Sequence, residues 1–365
     1  MPATYGIWQE RDLDLEATAA DVDREALLDA QQVTLGTHNT DINRFASLFG
    51  DFTTFNQASV QTGLTGVRLQ PLDEQGRPRP IKGRGYYYPG FPLWKAGTAE
   101  GYTFWAREQM TVKDYADSFS IMLEADVTWD RDQILSPFFY NGAGFTYADP
   151  QQNENVTVYG LANADATVYD KSTGAATDDH YSAQAAALGA GADNPMNTIW
   201  NELVEHPGNT GRIVAFINPA QRTAMEALAG FAPVNRFIVE QVPAAGGVTT
   251  DPLFAPGLGL PLSSTMSYIG AHESTYVVVW QNMPANYMVT VAVDANVKPL
   301  AIRQYPQRSL QGLVNVGEPM SRFPYQQNNW VRAMGCGAKN RVAAHVHRFG
   351  NGAYAAPAGM TFPVA

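Results

Sequence analysis

The sequence predicts an α+β fold, on three observations. Apolar residues recur at helical spacing from Val112 to Ser136, with no Gly or Pro before Pro137. Residues 196 to 239 alternate helix-like and strand-like segments. From Met266 onward, strand-like runs punctuated by proline dominate. Helices and strand runs in that order build an α+β core.

Residues 1–64 are expected to form an N-terminal arm. Tyr5 and Trp8 belong to an apolar cluster, Tyr5-Gly6-Ile7-Trp8, that should dock onto other structure, since free termini fray. Thr18 and Asp21 make a capping-box pattern, which predicts a helix from about Ala19 to Gln32, ended by Gly36. Asn39 or Thr40 can cap a second helix through Ile42, Phe45, Leu48 and Phe49, stopped by Gly50.

Residues 65–110 are expected to form an extended loop. Val67-Arg68-Leu69-Gln70 and Tyr102-Thr103-Phe104-Trp105 alternate like strands. Between them lie five prolines and six glycines, which exclude a helix or a central strand. The segment carries four cations, Arg77, Arg79, Lys82 and Arg84, followed by the aromatic residues Tyr86, Tyr87, Tyr88, Phe91 and Trp94. A connection this long with no core of its own is functional or disordered. Its aromatic residues are expected to lie against another copy of the chain. The competing reading is an arm folded back on its own domain.

Residues 111–155 are expected to hold a long helix and the start of the next domain. Thr111 and Asp114 form a capping box. Val112, Tyr115, Phe119, Met122 and Val127 mark the apolar face, and a rod to Ser136 would span roughly 38 Å. Thr128-Trp129-Asp130 is the one candidate break. Glu124, Asp126, Asp130 and Asp132 make this the most acidic stretch, with Asp126 and Asp130 at i,i+4, and they are expected to face solvent or a partner. The +3 charge of residues 65–110 beside the −9 of residues 111–190 would let a basic arm of one copy meet an acidic helix of the next.

Residues 156–270 are expected to form a third region. Val156 to Tyr159 and Ala166 to Tyr169 are strand-like. Met196, Ile199, Trp200, Leu203 and Val204 trace a helix that ends at Pro207-Gly208. Arg212 to Ile217 is an apolar strand, and Asn218-Pro219 is a cap with proline at the first helical position. Phe237-Ile238-Val239 is the next strand and Gly246 to Leu262 a loop. Residues 271–365 add the strands Tyr276–Trp280, Met288–Val293, Leu300–Arg303 and Val342–Val346.

Composition narrows the function. The chain has 365 residues, a net charge of −11 and one cysteine, Cys336. An acidic chain lacks the basic excess of a dedicated nucleic-acid binder. A lone cysteine excludes an intrachain disulfide and fits a reducing compartment. No apolar run reaches the 18 residues of a membrane span, and no signal peptide is visible. No phosphate-binding loop, zinc-protease, nucleophile-elbow or paired-cysteine motif occurs. Gly335-Cys336-Gly337 begins like a dinucleotide loop, but Asn340 stands where its third glycine should be. His345 and His347 share one face of a strand, yet no third ligand lies near them in sequence. Catalytic residues, cofactors and metals are therefore not expected.

The order of parts resembles the major capsid proteins of tailed bacteriophages, the Hong Kong 97-type fold. The carriers are the arm of short helices, the Pro/Gly-rich loop, the long helix, and Ile213-Val214-Ala215-Phe216-Ile217-Asn218-Pro219 before a helix. Tyr276 to Trp280, Met283-Pro284, Tyr287 to Val293 and Pro299 to Arg303 look like that family's returning strands. The resemblance implies an N-arm, an extended loop hairpin, a spine helix, an axial domain and a peripheral domain. It implies hexamers and pentamers of this chain in an icosahedral shell around double-stranded DNA, without sequence-specific binding or a membrane. It further implies a separate scaffolding protein, a portal and a decoration protein, with assembly in the host bacterial cytoplasm. Lys82 stands where some members carry a crosslinking lysine, but no partner is marked and no crosslink is expected. An encapsulin-type nanocompartment shell shares the fold. A β-rich enzyme or glycan-binding protein, using the aromatic loop as a groove, is the alternative of a different class.

Overall fold

The computed structural model describes residues 24–62, 69, 71–72, 74–76, 85–169, 178–234, 260, 262–263, 265–317, 325–360 and 362. In chain order its elements are α1 (Arg24–Ala46), β1 (Gly50–Thr53), β2 (Val60–Gln61), β3 (Tyr86–Tyr87), β4 (Trp94–Thr103), α2 (Phe104–Gln109) and α3 (Val112–Phe139). Then come β5 (Phe145–Asp149), β6 (Glu154–Val158), β7 (Tyr181–Ala183), α4 (Met196–Val204), β8 (Ile213–Ile217), α5 (Arg222–Glu226) and β9 (Phe231–Pro233). The rest is β10 (Met266–His272), β11 (Thr275–Trp280), β12 (Tyr287–Ala292), β13 (Leu300–Gln304), β14 (Leu313–Gly317), β15 (Tyr325–Ala338) and β16 (Ala344–Arg348). Two units divide the chain: Met1–Asn43, Trp94–Arg131 and Gln304–Met334 in the first, Arg44–Leu93, Asp132–Arg303 and Gly335–Ala365 in the second.

In the first unit, α1 runs without a break through Gly36, where the sequence predicts a stop. A glycine ends a helix by turning left-handed, and Gly36 does not. Left in the helix it costs only about 1 kcal/mol against alanine. The proposed caps sit mid-helix: the Thr40 hydroxyl donates to the Gly36 carbonyl at 2.8 Å, and Asn39 reaches Leu313. The Thr18–Asp21 cap lies outside the described residues. The first twenty residues of α3 belong to this unit. Its capping box forms as predicted: the Asp114 amide donates to Thr111 Oγ1, and the Thr111 amide to Asp114 Oδ2, each at 3.1 Å. The helix neither breaks at Thr128–Asp130 nor stops at Ser136; it carries Pro137 in its last turn.

β4 pairs antiparallel with β15 from Trp94↔Met334 to Thr103↔Tyr325, and β14 flanks the other edge of β15. The expected strand at Tyr102–Trp105 is thus half right, because Phe104 and Trp105 open α2. Leu35, Phe119, Met122, Leu313 and Trp330 form this unit's core. Val127 is 37% exposed, off the face assigned to it. The buried face continues instead through Asp126 and Asp130, at steps of four from Met122.

The second unit is built on a seven-stranded sheet, in the order β7-β16-β12-β8-β11-β10-β9. Five consecutive apolar residues make β8 the fully buried central strand, parallel to β11 and antiparallel to β12. Met196, Ile199 and Leu203 of α4 and Met225 of α5 pack into its core with Ile213, Ala215 and Ile217. Asn218 caps the turn after β8, accepting from the Ala220 amide at 2.9 Å. Of the strands assigned from the resemblance to a returning peripheral set, β11 and β12 share this sheet with β8 while β13 does not, and a boundary at 270/271 falls inside β10. Phe45, Phe49, Phe138, Phe216 and Trp280 form a second apolar focus, with ring centroids 5.0 to 6.4 Å apart.

β1 lies parallel to β13, where Gly50 passes too close to Leu300 for a side chain. β5 and β6 form a hairpin. Ala166 to Val168 form no strand; Tyr169 alone is buried, in an apolar cluster with Tyr87, Ala162 and Val342. Phe237–Val239, most of the loop at 246–262 and Val67, Arg68 and Gln70 lie outside the described residues. The stem of the extended loop is the two-residue ladder of β2 on β3, Val60↔Tyr87 and Gln61↔Tyr86.

Candidate functional site

The sequence points first to the loop and its aromatic residues. Arg77, Arg79, Lys82, Arg84, Tyr5 and Trp8 lie outside the described residues. The three tyrosines of the stem split as a strand dictates: Tyr86 and Tyr88 are 59% and 58% exposed, while Tyr87 is buried between them. The Tyr87 hydroxyl donates to the Lys339 carbonyl at 2.6 Å. Phe91 is 1% exposed. For Tyr87 and Phe91, the competing reading of a segment folded back on its own domain is therefore the right one. Trp94 is half-buried at the start of β4.

Two arginines that sequence reasoning missed fix this segment. Arg303 is fully buried; its Nη1 donates to the Phe91 carbonyl at 3.0 Å and its Nη2 to Asp149 Oδ2 at 2.6 Å. Arg341 donates to the Gly160 and Leu161 carbonyls and to Asp165 Oδ2, at 3.0, 3.1 and 2.6 Å. Its guanidinium lies 4.8 Å from the Tyr159 ring centroid. Each guanidinium is buried and paired with a carboxylate, the pairing that lets a buried ion be tolerated, although Arg303 Nε has no partner. Local sequence carries no signal for either; their partners stand more than 150 positions away.

Of the acidic group on α3, Glu124 is exposed and Asp132 half-buried. Asp126 and Asp130 are not solvated or partner-facing. Arg332 Nη1 donates to Asp126 Oδ2 at 2.6 Å, and His38 Nε2 lies 2.8 Å from the same oxygen. Arg332 Nε is 2.8 Å from Asp130 Oδ1, but off the N–H direction, so that contact is an ion pair without a hydrogen bond. Burial pushes the Asp130 carboxyl well above the usual carboxylate range, against the pull of Arg332 and with a further push from Asp126. A single cation shared between two buried carboxylates does not offset that desolvation. The signal was present in the sequence: residues 119, 122, 126 and 130 keep one helix face, and that face is apolar where it begins.

Gly335-Cys336-Gly337 is the end of strand β15 and no dinucleotide loop. A side chain at Gly335 would meet the Pro92 carbonyl, and one at Gly337 would come within 2.7 Å of the Gly90 carbonyl oxygen. The glycines admit a neighbouring backbone, and Cys336 between them is fully buried.

His345 and His347 do share a face of β16, and both are buried. Ser182 Oγ lies 2.7 Å from His347 Nδ1, and Gln184 Oε1 lies 3.1 Å from Nε2, so both ring nitrogens are used. Burial lowers the His347 imidazole to about 4. His345 instead sits 6.0 Å, ring to ring, from His180, which closes with Asp178 and His206 into a buried cluster. No third ligand adjoins His345 and His347 in sequence; the cluster takes its members from loops far away.

No protein-family model and no curated protein matches the chain in sequence. Solved structures do match. A chain from Mycobacterium phage Patience is similar over 100% of this chain and 99% of its own, at 19% identity and a TM-score of 0.67. A chain from the capsid of an empty GTA particle matches over 83% and 89%, at 12% identity and a TM-score of 0.47. One from the cyanophage A-1(L) capsid matches over 86% and 93%, at 12% identity and a TM-score of 0.45. The first of these establishes the fold: this chain has the fold of that phage protein from end to end. No helix among the described residues is long and apolar enough to cross a membrane.

Proposed function

We propose that this chain is the major capsid protein of a tailed bacteriophage, of the Hong Kong 97-type fold, and builds the icosahedral head shell around double-stranded DNA. The observation that carries the reading is the end-to-end likeness to the phage Patience chain. It agrees with the order of arm, loop, long helix and sheet domain in the sequence. The role is structural and not enzymatic. The chain's main partner is itself, in hexamers and pentamers, with a separate scaffolding protein, a portal and a decoration protein beside it. It resides in the virion after assembly in the bacterial cytoplasm.

The physics of a shell suits what is exposed. Heterologous contacts that repeat around closed rings need only modest strength each, because every subunit engages several neighbours. Tyr86, Tyr88 and Phe55 present exposed rings beside the loop stem, Phe55 at 70%. Removing such rings from water contributes roughly 25 cal/mol per Å². The cations Arg77, Arg79, Lys82 and Arg84 beside them would set register and partner choice. A chain of net charge −11 does not grip DNA, which would leave DNA free to be pumped in.

Electron microscopy of the purified protein, alone and co-expressed with the scaffolding protein of its genome, tests the reading. Closed shells of uniform diameter are expected. A compact monomer under every assembly condition would overturn it.

A further inference from the structure

Three side chains from two separate loops converge inside the second unit. Asp178 Oδ2 lies 2.7 Å from His206 Nε2 and 3.4 Å from His180 Nε2, and the two imidazole nitrogens are 3.2 Å apart. All three residues are at most 3% exposed. We propose that Asp178, His180 and His206 form a binding site for a divalent transition metal ion, zinc(II) by the chemistry of the donors.

The donor spacing is the first support. Around a tetrahedral ion with ligands at 2.0–2.1 Å, neighbouring donors stand about 3.3 Å apart. The three atoms here already lie within about half an ångström of that triangle. Two imidazoles and one carboxylate are a common zinc donor set, with the fourth position left to a water or another oxygen.

The second support is the orientation of His180. Its Nδ1 lies 2.9 Å from the Ala344 carbonyl oxygen, which accepts but cannot donate. Nδ1 therefore carries the proton, and Nε2 turns a lone pair toward the cluster. A backbone carbonyl behind a ligating histidine is the outer-shell arrangement that fixes the tautomer at metal sites.

Charge and access complete the case. Asp178 also groups with Glu202 and Glu205, whose carboxylate oxygens lie within 4.8 Å of one another. That concentration of negative charge beside a buried site is offset by a cation. A cleft of about 210 Å³ borders one member of the cluster: His206 lines it with Pro207, Gly208 and Asn209. The bound ion would tie the loop before β7 to the turn after α4, two segments joined there by no shared strand.

The test uses the purified full chain, stripped with a chelator, dialysed, and titrated with zinc chloride against a chromophoric competitor. Wild type is expected to bind one zinc per chain and to melt at a higher temperature when loaded. Asp178→Asn and His206→Gln should each weaken zinc binding at least 10–100-fold and lose the melting shift. His347→Gln, at the satisfied histidine on the same sheet, should bind zinc as wild type does. X-ray absorption at the zinc edge of the loaded wild type decides the matter even if a variant fails to fold, since two imidazoles in the first shell are expected. No retained zinc, a first shell without imidazole, or equal binding by folded Asp178→Asn and His206→Gln overturns the proposal. The three groups are then a hydrogen-bonded Asp–His–His cluster only.

Discussion

Asn39 grips Leu313 by both of its backbone polar groups: the side-chain nitrogen donates to the carbonyl at 3.0 Å, and the side-chain oxygen accepts from the amide at 2.8 Å. A helix residue thus does for the start of β14 what a neighbouring strand would do. The preceding Gly312 has φ +82°, and any side chain there would run into Asn39. Replacing Asn39 with leucine should lower stability by about 2–3 kcal/mol, because the Leu313 amide and carbonyl lose partners where water replaces them poorly. A urea titration checks this; a change under 0.5 kcal/mol means that the pair is incidental.

The ionic cluster on α3 should respond to pH through Asp130. Its folded-state pKa is raised, so the stability it contributes is complete below its unfolded pKa of about 3.9 and is lost as pH rises through the folded value. Asp130→Asn removes that titration. The variant should lose less stability than wild type between pH 4 and pH 8, measured by denaturant midpoints across the range. Parallel curves would refute the assignment.

Arg332 faces the opposite test. Arg332→Met leaves Asp126 and Asp130 buried without their cation, which costs about 3–5 kcal/mol. Adding Asp126→Asn and Asp130→Asn should recover most of that loss, since a neutral cluster needs no counter-charge. Failure of the triple variant to regain stability would show that the guanidinium acts through packing.

In β15, Gly335→Ala would press a methyl group onto the Pro92 backbone, which cannot move aside like a side chain. A loss of about 1–3 kcal/mol or more is expected, read as a lowered melting temperature. The buried Cys336 thiol should become reactive to a thiol reagent in that variant while staying inert in wild type.

For the loop, reversing Arg79, Lys82 and Arg84 to Glu should leave the subunit folded and disrupt shell assembly. Exposed ion pairs contribute only ~0–1 kcal/mol each, so the effect should be on register and largest at low salt. Of the four acidic residues assigned to that contact, Glu124 and Asp132 stand outside the internal cluster and are the counter-charges proposed in a neighbour. Tyr86→Ser with Tyr88→Ser should weaken assembly more than the charge reversal does at physiological salt. Normal shells from both variants would remove the loop stem from the contact.

What the sequence discloses here depends on range. The Thr111–Asp114 box, the Asn218-Pro219 cap, the stripe of α4 and the apolar run of β8 are local patterns, and each forms as its spacing predicts, except that Val204 at the end of the stripe is exposed. β15 was hidden because its glycines make sense only beside Gly90 and Pro92, residues about 245 positions earlier. Asp126 and Asp130 looked solvated because composition was weighed before helical phase. Asp178, His180 and His206 carry no shared spacing, and only the folded chain brings them together.

The position of β16 governs when a nascent chain can become a subunit. Residues 344–348 slot between β12 and β7, pairing with residues synthesised more than 160 positions earlier at Tyr181–Ala183. Folding during synthesis can order earlier segments, but the sheet stays open along β12 until residue 348 has been made. A chain released short of that point exposes the unpaired edge of an apolar strand, a template for aggregation. Completion of this sheet therefore acts as a length check, separating finished chains from truncated ones before either meets a neighbour.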